Sequence, residues 1–334
     1  MKTALKLALS LGISGAFLWL AFRHVDVNQA IKIVRTLPPI YIAAYTLCLI
    51  IIQLARIYRW DLLTRSLAPI STLAVLRIAN LGFMLILSLP LRLGELSRPY
   101  LLKKEAGVAI GSSLAAVAIE RCLDGLLVTL LFFLATVILP PHYEVPITIE
   151  AGAWIALSIF ATALIGFVLA VRAHDFTHRV LQRMGAAIFP KLTRKVQDLL
   201  QAFVTGLDAL PNKRSGILLI VTTLIYWGTN GVGYYLVMRG FGWDLPLAAS
   251  FILLSIIVIA IMIPDGPAFL CTFHGAILAG LGIFGISATD AAAFGLVIYP
   301  LMIGINVACG LPFLFIGGDP KIGDIVRASQ DTAL

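Results

Sequence analysis

The chain reads as an all-α polytopic membrane protein, with about six spanning helices plus two re-entrant helical hairpins in an inverted-topology repeat. Three observations lead there. Of the 334 residues, 60% are hydrophobic and 13% charged, and the mean hydropathy is +0.98, far from the balance of a soluble domain. Two long apolar runs are interrupted by proline-centred tracts, one from Leu89 to Arg98 and one from Ile263 to Pro267. Lysine and arginine gather in alternate connections, as the positive-inside rule demands of a chain that crosses repeatedly.

A helix needs about twenty apolar residues to cross the bilayer core. Segments 4–22, 38–56, 119–140, 150–171, 215–238 and 289–314 have that length. Met1-Lys2-Thr3 runs into the first with no small-residue cleavage site before Arg23, so it reads as a span and not a removable signal. Basic residues then sort the connections. Lys2 and Lys6; Arg56, Arg59 and Arg65; Lys103 and Lys104; and Lys321 and Arg327 mark cytoplasmic positions. Segment 172–214 joins them, with eight basic residues against Asp175, Asp198 and Asp208. Segment 140–151 carries only Glu144 and Glu150, and 239–246 one charge of each sign, so both lie outside. Segment 23–37, with Arg23, Lys32 and Arg35, is the exception and reads as a short interfacial helix. Both termini are then cytoplasmic.

These sides force the hairpins. Residues 57–69 and 102–106 are both inside, so 70–104 enters and leaves on one side and turns near Pro90. Likewise 247–286 enters from outside and turns near Pro264, Gly266 and Pro267. The chain divides into a first membrane repeat, 1–140, a second, 150–315, and a tail, 316–334. Inverted repeats of this kind place a transporter's substrate site near the midplane, between broken helices. Within 173–214, Leu192, Val196, Leu199, Leu200, Phe203, Leu207 and Leu210 share one helical face. That pattern suits an amphipathic helix lying on the membrane surface or against the bundle.

Charges at membrane depth are expensive and mark candidate function. Arg92, Glu95 and Arg98 recur every third residue after Pro90 and share a helix face. Two guanidinium groups around one carboxylate favour phosphate; the plainer reading is that Glu95 pairs both and closes the hairpin. Gly94 lets a backbone or a headgroup approach closely. Glu120 and Asp124 lie four residues apart at the start of a span, with Arg121 directed elsewhere on the wheel. They can bind a cation or relay a proton, or simply balance Arg92, Arg98 or Arg77. Asp265 can cap a helix start. His274 either titrates and gates or is a satisfied core residue. Asn80, Asn230, Tyr234, Tyr235 and Asn306 suit hydrogen bonds between helices. Cys48, Cys122, Cys271 and Cys309 show no metal spacing and read as small core residues. The net charge of +8 sits in short loops without a basic, aromatic-interleaved groove, so no nucleic-acid partner is expected. No nucleotide-binding, hydrolase or metalloprotease motif occurs, so neither enzymatic activity nor a cofactor is expected.

At these residues the chain resembles the flippase-like membrane domain of lysylphosphatidylglycerol synthases and its stand-alone relatives. The resemblance rests on Pro90, Arg92, Gly94, Glu95 and Arg98 in a P-x-R-x-G-E-x-x-R pattern, and on Glu120, Arg121 and Asp124 in E-R-x-x-D. Residues 267–274 are similar to the family's second-hairpin segment, although Ala268 and Cys271 stand where glycines are usual. The similarity covers essentially the whole chain. It implies movement of a lipid between leaflets: a phospholipid, a hopanoid or a polyprenyl-linked intermediate. For some relatives it also implies a homodimer or a lipid-modifying enzyme as partner. Synthase members carry a large soluble aminoacyl-transfer domain after the membrane part; with about twenty residues beyond the last span, none is expected here.

The leading expectation is therefore translocation of a lipid with an anionic headgroup. Arg92 and Arg98 would bind it, Glu95 would position them, and Glu120, Arg121 and Asp124 would complete the site. Glu120, Asp124, Asp265 or His274 would respond to protons. Two alternatives stand: a proton- or ion-coupled transporter of a small anion, and a non-transporting membrane partner of a lipid-modifying or glycosyltransferase enzyme.

Overall fold

The computed structural model describes residues 25–88, 94–172, 202, 205–206, 213–262 and 267–315. The expected first span 4–22, the tail 316–334 and nearly all of 173–214 lie outside the described residues. So do Pro90, Arg92, Pro264, Asp265 and Gly266.

The described residues are helical, without strands. In chain order they form α1 (Val27–Thr36), α2 (Pro39–Arg65), α3 (Thr72–Ser88), α4 (Ser97–Ala106), α5 (Ile110–Ile138), α6 (Ile147–Arg172), α7 (Lys213–Gly240), α8 (Leu247–Ala260), α9 (Leu270–Gly282) and α10 (Ala288–Gly310). Five of these, α2, α5, α6, α7 and α10, are long and apolar enough to cross a membrane. They coincide with five of the six expected spans. Together with the composition they make this a multi-pass membrane protein.

Local chemistry explains the boundaries. Asp26 caps α1, its Oδ1 accepting from the Gln29 amide at 2.9 Å. That helix occupies the segment expected to be interfacial, and it packs on α10. Proline at the first helical position opens α2. Gly107, at φ 67°, ends α4. Ser287 caps α10 by accepting from the Asp290 amide at 3.1 Å, and its hydroxyl donates to the Asp290 carboxylate at 2.6 Å. The Ser287 side chain thus satisfies one of the free amides of the first turn.

Two of the spans differ from expectation in a way that matters. α2 does not stop at residue 56. It runs nine residues further, to Arg65, with Arg59 and Trp60 wholly buried. α5 does not begin at residue 119 but at Ile110, so Glu120–Asp124 falls at its middle. Charges end a span only where they face lipid. Here they turn inward and find partners, and the helices continue.

α2 packs along α7, α5 along α6 and α8, and α9 along α8 and α10. One buried apolar cluster joins α7–α10 to parts of α2 and α5; a second joins Trp60, Ile78, Phe83, Leu101 and Leu102 of α2, α3 and α4. Gly94 brings the start of the α4 segment against the end of α3. A Cβ there would collide with the Leu85 carbonyl and the Ile86 backbone. Its close approach is thus to the chain's own backbone. Near the start of α5, Ser112 Oγ donates to the Ala202 carbonyl at 2.7 Å, tying one point of segment 173–214 to the bundle.

Candidate functional site

Buried charge concentrates where α2, α4, α5 and α7 meet. Glu120 is 2% exposed. Its Oε2 accepts from Arg98 Nη1 at 2.7 Å and its Oε1 from Arg121 Nη2 at 2.9 Å, with Arg59 Nη2 3.8 Å from Oε1. Asp124, one turn on, takes Arg59 Nη2 at 2.7 Å and Trp227 Nε1 at 2.9 Å, and Arg121 lies 3.6 Å from its other oxygen. Three cations therefore hold two anions, with a residual charge of +1 in this group. Each carboxylate is gripped by guanidinium groups rather than facing the other. The arrangement is a set of ion pairs, not a bare carboxylate pair waiting for a cation.

Every member depends on a helix that the local sequence does not advertise. Arg98 has no exposed surface. Its stem lies against Gly82 of α3, where any Cβ would strike it, and its guanidinium sits 4.5 Å from the Trp60 ring and 5.0 Å from Phe83. Those ring faces offset part of the desolvation of the charge. Arg59 approaches the Tyr226 ring at 5.3 Å. Arg59 Nε, Arg98 Nε and Nη2 and Arg121 Nε are buried without a hydrogen-bond partner among the described residues. The group has more donors than acceptors, which favours anions.

A cavity of about 260 Å³ opens beside this group. Arg56, Arg59, Arg121, Glu95, Glu120 and Asp124 reach its wall. Both interrupted segments border it: Ile86, Leu87 and Glu95 from the first, and Ile261, Met262, Phe269 and Phe273 from the second. Arg56, half-buried, donates to Asn306 Oδ1 of α10 at 3.0 Å and lies 3.6 Å from the Phe83 ring centre. Beside it, Gln53 Nε2 donates to Asn80 Oδ1 at 2.9 Å, linking α2 to α3.

The structure thus brings together Glu95, Arg98, Glu120, Arg121 and Asp124. It separates their roles: Arg98 lies beneath the wall and pairs with Glu120, while Glu95 faces the cavity. Arg121 differs from the helical-wheel expectation. Its long side chain folds back along α5 onto Glu120 and Asp124. Arg92 and Asp265 lie outside the described residues, as do the turn residues Pro90, Pro264 and Gly266. Pro267 opens the 3-10 segment Pro267–Phe269. His274 is buried on α9, its Nδ1 2.9 Å from the Leu270 carbonyl and its ring 4.9 Å from Tyr299. It packs away from the arginine group, and Phe273 faces the cavity in its place. Asn80 and Asn306 make the interhelical bonds expected of them, whereas Asn230 bonds within its own helix, to the Tyr226 carbonyl.

Sequence reasoning missed Arg56, Arg59 and Trp227. A signal for the arginines exists. Leu49, Ile52, Gln53, Arg56, Arg59, Trp60 and Leu63 repeat at three- and four-residue steps, one inward stripe continuing past residue 56. For Trp227 no local signal exists, because its partner lies 103 positions away.

No curated protein and no solved structure matches the chain in the comparisons made. The family model of the lysylphosphatidylglycerol synthase TM region matches residues 7–310. That match spans both interrupted segments and every charged residue of the cavity wall, and the chain belongs to this family.

Proposed function

We propose that the protein moves a lipid, or a lipid-linked intermediate, with an anionic headgroup between the leaflets of a bacterial inner membrane, both termini being cytoplasmic. The observation that carries this reading is the cavity whose wall holds Arg56, Arg59 and Arg121 and whose rim is built from both interrupted segments. Buried guanidinium donors in excess of acceptors suit a phosphate-bearing headgroup. Acyl chains would stay in the surrounding lipid.

Segments 70–104 and 247–286 are, on this reading, the re-entrant hairpins of the inverted repeat. Helix length supports it. α3 and α4 have 17 and 10 residues, and α8 and α9 have 14 and 13. At 1.5 Å per residue the longest reaches about 26 Å and the others about 15–21 Å, short of the roughly 30 Å core.

The test is leaflet exchange of a fluorescent anionic phospholipid in proteoliposomes, with and without an imposed proton gradient. The protein should accelerate exchange, and Arg121→Ala should slow it by at least about tenfold, the loss expected of one charge-assisted hydrogen bond. Arg121 is the better probe than Arg98, since its side chain is 41% exposed and Arg98 is fully buried. Folded protein that leaves exchange at the protein-free rate under both conditions refutes the proposal.

A further inference from the structure

We infer that Tyr299 is a positioning residue for the second interrupted segment. It holds the turn Ala268–Phe269 in a strained conformation, and release of that turn moves Phe269 off the cavity wall and opens the path between leaflets. The inference rests on the lipid-translocation reading above and names the moving part of that same site.

The turn is unfavourable by itself. Ala268 stands at φ 59° and ψ 15°, and Phe269 at φ 56° and ψ 27°. Both are left-handed, and each such residue with a Cβ is disfavoured by about fivefold to thirtyfold. Two in succession persist only where their surroundings hold them. Tyr299 of α10 supplies that hold, its hydroxyl donating to the Ala268 carbonyl at 3.1 Å. The tyrosine is boxed in by α9, its ring 5.3 Å from that of Phe273 and 4.9 Å from that of His274. Gly295, one turn earlier on α10, makes room for the histidine, since a Cβ there would come within 3.0 Å of its ring. His274 thus belongs to the support of the turn.

What the turn carries gives it a function. Phe269 is buried, and both it and Phe273 form part of the cavity wall. The 3-10 segment Pro267–Phe269 packs against α3, the helix that brings Phe83, Ile86 and Leu87 to the same wall. The two interrupted segments therefore meet at this turn. A headgroup that passes their junction must displace the Phe269 ring. Strain released on displacement offsets part of the lost packing and of the lost hydrogen bond. The closed and displaced states therefore lie closer in free energy than they would around an unstrained turn. One hydroxyl is then enough to set the balance.

Two variants push that balance in opposite directions. Tyr299→Phe removes the hydroxyl and keeps the ring. Ala268→Gly relieves the left-handed strain and favours the closed turn. Each is followed by leaflet exchange of the fluorescent anionic phospholipid in proteoliposomes. Each is also followed by the labelling rate of Cys271 with a small maleimide, in a background where Cys48, Cys122 and Cys309 are replaced by Ala. Cys271 lies two residues past Phe269 and is buried, so its reaction reports displacement of the turn. Tyr299→Phe should speed both exchange and labelling by about twofold to tenfold, the net worth of one hydrogen bond. Ala268→Gly should slow both by about twofold to fivefold, the strain less the extra backbone freedom of glycine. A tyrosine that only stabilised the fold would slow exchange when truncated, and that result overturns the inference. If Tyr299→Phe does not fold, Ala268→Gly decides alone. With an active wild type, any other pattern in a folded variant, including labelling that shifts without exchange, overturns the inference and leaves lipid translocation standing. Absence of exchange by the wild type removes the translocation reading and this inference with it.

Discussion

Removing the Glu120 carboxylate tests whether the arginine group is one coupled unit. Glu120→Gln keeps the shape but takes away the anion that Arg98 and Arg121 contact at 2.7 and 2.9 Å. The charge of the group, Arg59, Arg98 and Arg121 with Glu120 and Asp124, rises from +1 to +2. At an effective dielectric of about 20, unit charges some 4 Å apart interact by about 4 kcal/mol. Breaking a buried pair by removing one partner typically costs about 3–5 kcal/mol. Arg98 has no exposed surface and cannot swing into water, so the full range applies. Arg98→Met brings the charge to 0 and frees Glu120 to keep Arg121, so its cost should be lower, about 2–3 kcal/mol. The double variant restores the original +1 and leaves Asp124 with Arg59 and Arg121. Its cost should fall at least about 2 kcal/mol short of the sum, since residues in one network are not additive. The assay is unfolding of the detergent-solubilised protein followed by tryptophan fluorescence; Trp60 and Trp227 sit on this group. Additive losses, or a Glu120→Gln cost under about 1 kcal/mol, would refute the argument that these charges hold one another.

Three further outcomes follow from the packing. Gly94→Val should cost about 3 kcal/mol or more by overpacking, because the new side chain meets the α3 backbone at Leu85 and Ile86 and not a yielding side chain; unchanged thermal stability would disprove that contact. Trp227→Phe should lose about 1.5–3 kcal/mol, the usual worth of a hydrogen bond to a charged group, through its bond to Asp124, and it should also slow lipid exchange. Ala268 and Phe269 stand at φ 59° and 56°, in the left-handed region, at about 1–2 kcal/mol each for a residue with a Cβ. Ala268→Gly should therefore raise stability by up to about 1 kcal/mol, and a lower unfolding midpoint in that variant would show the strain argument to be wrong.

Much of this protein is legible in the order of its amino acids alone. Five described spans follow from hydropathy, since a lipid-facing helix must be apolar for about twenty residues whatever it packs against. Both interruptions follow from tracts that combine proline with glycine and charge, since proline by itself need not end a helix, as Pro300 inside α10 shows, and Arg98, Glu120 and Asp124 from the expense of charge at that depth. Partnership is what the linear chain hides. Spacing pairs Arg98 with Glu95, three residues away, yet it meets Glu120, 22 residues on, because Gly82 opens a channel for its stem and α4 lies along α5. Hydropathy places Arg56 and Arg59 at the end of a span, as anchors in the cytoplasmic interface. Packing of α2 against α7 turns both inward instead, and makes Arg59 a wholly buried member of the group. A side chain's cost in lipid is a property of its own atoms and can be read residue by residue. Whether that cost is met by Asp124, Trp227 or Asn306 depends on which helix faces which, and only the tertiary structure decides that.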